Sequence, residues 1–108
     1  MEIKAINYLQ KDYINEEDFF CSAEVLIGPE NEDFVYETYM FHVISIKRLY
    51  DNYQKIEDEG VMLNKGWIIT KYYNEKAIAN EIKLILERCE SSDVQETYTK
   101  LDSYFIRE

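Results

Sequence analysis

The sequence predicts an α+β fold: a four-stranded antiparallel sheet with two C-terminal helices packed on one face and a short helix in the third crossover. Three observations carry that expectation. Phe19, Cys21, Ala23, Val25 and Ile27 recur at period two, and after a turn Val35, Tyr39, Phe41 and Val43 resume the alternation, with Glu37 interrupting. Ala77, Ile78, Ile82, Ile85, Leu86 and Cys89 share one face of a helix that Asn74 caps. Val94, Tyr98, Leu101 and Phe105 trace a second helical stripe to the C-terminus. Two such helices can bury one face of an antiparallel sheet and leave the other toward solvent.

The elements follow in order. Glu2 to Tyr8 alternates Ile3, Ala5 and Asn7 against Lys4, Ile6 and Tyr8 and supplies the first strand. Leu9 to Asp18 is polar and acidic, with Tyr13 and Ile14 embedded, and is expected to be an irregular connection. The hairpin from Phe19 to Ser45 is the centre of the sheet. Pro29 lacks an amide donor and fixes φ, so the first hairpin strand stops at Gly28, while Glu30, Asn31, Glu32 and Asp33 keep the turn in water. Its odd-numbered residues are more uniformly apolar and are assigned to the helix-covered core. The even set mixes aromatic, polar and charged side chains (Phe20, Ser22, Glu24, Leu26, Phe34, Tyr36, Thr38, Met40, His42, Ile44) and is assigned to the open face.

Ile46 to Gly60 carries Leu49, Tyr50, Tyr53 and Ile56 at helical spacing, a short helix that frays before Glu57-Asp58-Glu59. Either the segment around Leu49 and Tyr53 or a second copy of the chain would cover the open face. Gly66 to Tyr73 is a run of strand formers and gives the fourth strand, with Trp67 as a core or sheet-edge anchor. Ser92 and Gln95 form a capping box at the start of the last helix.

With 108 residues, 46% of them apolar, the chain is expected to be one domain spanning residues 1–108. No apolar run approaches the roughly 20 residues of a membrane span, and Met1-Glu2-Ile3-Lys4 opens no export signal, so a cytoplasmic location is expected. The net charge is −10, and nine acidic residues with no Lys or Arg fall between Asp12 and Ile46. That distribution predicts a negative field at the hairpin end. It disfavours nucleic acid and membranes as partners and favours a basic protein.

Catalytic and metal-binding patterns are missing from the sequence. His42 is the only histidine, no nucleophile lies near it in sequence, and it reads as a structural or interface residue. Gly28-Pro29 has acidic neighbours and is no phosphate cradle, and Asp51 to Gly60 does not follow a calcium loop. Cys21 and Cys89 lack metal-site spacing and are expected to be buried free thiols. The expectation is therefore no catalytic residue, no metal ligand, no cofactor and no enzyme activity.

Leu26-Ile27-Gly28-Pro29, Tyr39 to Ser45 followed by Leu49, Gly66-Trp67-Ile68-Ile69 with Tyr72-Tyr73, the helix reaching Cys89, and Leu101 to Phe105 together form a scattered pattern. In it the chain resembles the immunity protein 8 family of bacterial polymorphic toxin systems. The chain departs from the pattern at Ile46 to Leu49 and at Phe105 to Glu108. The resemblance implies a cytoplasmic protein that binds a cognate toxin domain, encoded by a neighbouring gene, and protects the producing cell. It assigns no contact residues.

Charge and topology select Glu30, Glu32, Asp33 and Glu37, with Tyr36 as an aromatic anchor, as the partner-binding residues against a basic, nuclease-type toxin. Two alternatives stand beside this one. A homodimeric structural or regulatory module would use the open sheet face, and a small-molecule-binding domain would use Trp67, His42 and the tyrosines as a pocket.

Overall fold

A long antiparallel ribbon forms the spine of the molecule. In the computed structural model, which describes residues 1–52 and 65–108, the strands are β1 Glu2–Asn15, β2 Asp18–Gly28, β3 Glu37–Ser45, β4 Trp67–Thr70 and β5 Ile106–Arg107. The helices are α1 Ile46–Asp51, α2 Glu75–Cys89 and α3 Val94–Leu101. The sheet order is β1-β2-β3-β4, with β5 also pairing β3. The α+β class, the two C-terminal helices on one face and the short helix after β3 are as the sequence predicts.

Four details differ. The stretch from Leu9 to Asp18 is not an irregular connection: β1 runs on to Asn15, pairs with β2 from Glu2↔Gly28 to Asn15↔Asp18, and turns tightly at Glu16-Glu17. Register shifts after Ile3, Tyr8 and Tyr13 break its alternation, so the pattern signal fades although the pairing continues. The sheet is mixed rather than purely antiparallel, because β4 lies parallel to β3, with His42↔Trp67 to Ser45↔Thr70 in register. Antiparallel neighbours can be joined by a tight turn, whereas a parallel pair needs a long crossover, and residues 46–66 supply one that begins with α1.

The last helix is capped by Asp93, whose side chain accepts from the Gln95 amide at 2.9 Å, and not by Ser92. It stops at Leu101 instead of reaching Phe105. A turn follows, and β5 adds to β3 beside β4 through Tyr39↔Arg107 and Met40↔Ile106. Of the helix predicted over Ile46 to Gly60, α1 covers the first six residues, and Tyr53, Ile56 and Gly60 lie outside the described residues.

The core matches its predicted parity except at Val35, which precedes β3 and is exposed. Phe19, Cys21, Ala23, Val25, Ile27, Tyr39, Phe41 and Val43 are all buried. Against them pack Ile78, Ile82, Ile85, Leu86 and Cys89 of α2, Tyr98 and Leu101 of α3, and Phe105. Asn74 caps α2 by accepting from the Ala77 amide at 3.0 Å, as predicted. Both cysteines are buried and unbridged, and burial pushes both thiols up. The opposite face is less open than its composition predicts: Phe20, Ser22, Glu24, Leu26, Met40 and His42 are half-buried and Ile44 is buried.

Candidate partner-binding surface

The β2–β3 connection, residues 29–36, projects from one end of this ribbon. Its base is fixed by close approach: a Cβ at Gly28 would collide with the Val35 carbonyl, so the two arms of the loop meet there at glycine distance. The Lys4 ammonium donates to the Pro29 carbonyl at 2.7 Å, and the Val35 amide donates to the Glu32 carbonyl at 3.1 Å. Asn31 sits at φ 65°, a left-handed conformation that asparagine tolerates better than most residues. The loop is thus tied at its base and across its turn.

Glu30, Glu32, Asp33 and Tyr36 all lie exposed on this loop, and no ion pair engages the three carboxylates among the described residues. Glu37 stands apart. It is half-buried at the first position of β3 and shares a depression with Lys65, Asp102 and Arg107. The Tyr98 hydroxyl is pushed up chiefly by burial, and the carboxylates of Glu37 and Glu32 raise it further against the Arg107 guanidinium. Arg107 is raised first by its hydrogen bond to Asp102.

Phe34 and Tyr36, which the parity argument placed on the open sheet face, precede β3 and belong to the loop. Phe34 is 95% exposed, beside Val35 at 48% and Tyr36 at 45%. Sequence reasoning did not pick out Phe34 as a contact. The available signal was its position between the acidic turn and the first strand residue, where no sheet neighbour can cover it.

The other acidic residues of the hairpin region lie elsewhere. Asp18 begins β2, roughly 33 Å from Gly28 at about 3.3 Å per residue, and Asp12 lies near it on β1, opposite Phe20. There α1 answers them. Arg48 donates from Nε to Asp18 at 2.7 Å and from Nη1 to Asp12 at 2.9 Å, while Lys47 bridges Asp18 at 3.5 Å and Asp51 at 3.0 Å. The Arg48 hydrogen bond holds the Asp18 carboxyl below its ordinary range, and Asp51 and Asp18 raise Lys47. The expected single negative pole is therefore two acidic regions: at one, Asp12 and Asp18 are paired with cations while Glu16 and Glu17 stay exposed, and at the other Glu30, Glu32 and Asp33 have no ion pair among the described residues.

The family model described as Immunity protein 8 matches residues 1–108, the whole chain. The protein belongs to the Immunity protein 8 family. No curated protein and no solved structure matches it. No described helix is long and apolar enough to cross a membrane.

In this Immunity protein 8 chain, the half-buried sheet face gathers Phe20, His42 and Trp67. Phe20 stacks on His42 with ring centroids 5.4 Å apart, Trp67 meets Phe20 edge-on at 5.7 Å, and Ser22 Oγ lies 3.0 Å from His42 Nδ1. Tyr8, Tyr13 and Tyr73 pack with Phe19 on the opposite face, so the aromatic pocket required by a small-molecule reading is split in two. A cavity of about 350 Å³ opens between β4 and α2, lined by Ile68, Ile78, Ile85 and others, with Glu81 as its one acidic group. Among the described residues, no three His, Cys, Asp or Glu converge to hold a metal ion.

Proposed function

We propose that this chain is an immunity protein that binds a cognate toxin domain and neutralises it by steric and electrostatic blocking, without catalysis of its own. The partner is a basic, nuclease-type toxin domain encoded by a neighbouring gene, and capture takes place in the cytoplasm of the producing cell. The observation that carries this reading, beside membership of the family, is the loop of residues 29–36: a constrained projection whose Glu30, Glu32 and Asp33 have no cationic partner among the described residues. Unscreened carboxylates on a protruding loop accelerate encounter with a positive surface, and a folded domain lodged over an active site excludes substrate by bulk alone. Tyr36 on the same loop and Glu37, half-buried at the first position of β3, complete the proposed contact set.

The test is a titration of the purified chain with the purified toxin domain of the adjacent gene, read by calorimetry and by toxin activity. Nanomolar binding with loss of toxin activity is expected, and the Glu30→Ala, Glu32→Ala, Asp33→Ala triple variant should bind ~10-fold to 100-fold more weakly at low salt. Unchanged affinity in the triple variant would remove these residues from the interface.

A further inference from the structure

We propose that Phe34 is the anchor of this interface and that the toxin receives it in an apolar pocket ringed by lysine or arginine side chains. This rests on the neutralisation reading above and adds a residue and a partner surface to it. A single exposed apolar side chain is ordinary. Here the geometry goes further, because Phe34, Val35 and Tyr36 form a consecutive apolar patch whose first member is 95% exposed. Glu30, Glu32 and Asp33 are exposed on the same loop and have no ion pair among the described residues.

The exposure has no counterpart in the stability of the free chain. Among the described residues Phe34 makes no ring contact, and it sits outside the buried core. Its loop is nevertheless closed at the base by the Gly28 approach to Val35, tied to β1 by Lys4, and turned at Asn31. A ring presented on a constrained loop loses little conformational freedom when it enters a pocket. Aromatic residues in desolvated pockets dominate interface energies, while rim charges mainly set the encounter rate. The complement of an apolar knob with a negative collar is an apolar hole with a positive rim. The two parts of the loop then have separable kinetic roles: carboxylates speed association, and Phe34 slows dissociation.

The experiment measures association and dissociation rates of a catalytically inactivated toxin domain of the adjacent gene with the wild-type chain, Phe34→Ala, Phe34→Trp, and the Glu30→Gln, Glu32→Gln, Asp33→Asn triple variant. Phe34→Ala is expected to dissociate at least ~30-fold faster with an association rate within about twofold of wild type, and its thermal midpoint should not move. Phe34→Trp should retain slow dissociation. The triple variant should instead associate more slowly and lose its salt dependence. A photoreactive benzoylphenylalanine at position 34 should crosslink to apolar toxin residues bordered by Lys or Arg. Dissociation of Phe34→Ala within twofold of wild type, or crosslinks to an acidic or polar surface, overturns the anchor while leaving neutralisation intact. A wild-type chain that binds no toxin domain overturns both.

Discussion

The two ends of β2 carry the same kind of residue and use it in opposite ways. At the β1–β2 end, Asp12 and Asp18 meet Arg48 and Lys47, and the corner is fastened to the core by Ser45, whose buried hydroxyl oxygen accepts from the Phe19 amide at 3.2 Å and the Arg48 amide at 3.1 Å. At the β2–β3 end, Glu30, Glu32 and Asp33 are exposed, have no ion pair among the described residues, and share their loop with the exposed Phe34. Carboxylates at the first end serve the fold. Those at the second contribute almost nothing to it and are available to a partner.

Four measurements test that contrast, and the largest effect should come from the corner. Ser45→Ala strips a shared acceptor from two amides, one of them buried, and is expected to cost about 1–2 kcal/mol, lowering the thermal midpoint by about 5 °C or more. Arg48→Ala leaves Asp12 and Asp18 without their guanidinium and should lower the urea midpoint by less than Ser45→Ala does, because Lys47 still bridges the buried Asp18 and Asp12 is exposed. If Arg48→Ala leaves the midpoint where it was, the corner network is ornamental and the contrast fails.

The next effect is smaller and depends on pH. Asp18 is depressed in the folded state, so its contribution is present above the ordinary carboxylate value and is lost as pH falls through the folded one. The stability difference between wild type and Asp18→Asn should therefore be widest at neutral pH and shrink below about pH 4. A difference that stays constant down to acid would show that Asp18 acts through packing rather than charge. The smallest effect belongs to the tip: the Glu30→Gln, Glu32→Gln, Asp33→Asn variant should change unfolding stability by no more than about 0.5 kcal/mol. A loss matching that of Ser45→Ala would erase the distinction between the two ends.

Much of the scaffold was legible. The odd-numbered core of β2 and β3, the stripe of α2 and its Asn74 cap appear in the sequence because burial on one face imposes a local period on the chain. The second half of β1 was not, since bulges after Tyr8 and Tyr13 scramble its alternation and most of its side chains are exposed. β5 has two residues and no period to read. The site was half legible: the acidic turn was visible, but Phe34 was assigned to a sheet face that begins only at Glu37.

Taken alone, the sequence determined which residues face inward, where the first hairpin strand stops and how much negative charge the chain carries. Those properties are local or additive and need no knowledge of neighbours. The tertiary structure alone decided that β4 runs parallel to β3, that Arg48 reaches back to Asp12 and Asp18, and that Phe34 stands exposed on a loop whose carboxylates have no ion pair among the described residues. Each of these depends on which distant segments meet, because a charge is neutralised, and a ring covered, only by groups that the fold brings within a few ångströms.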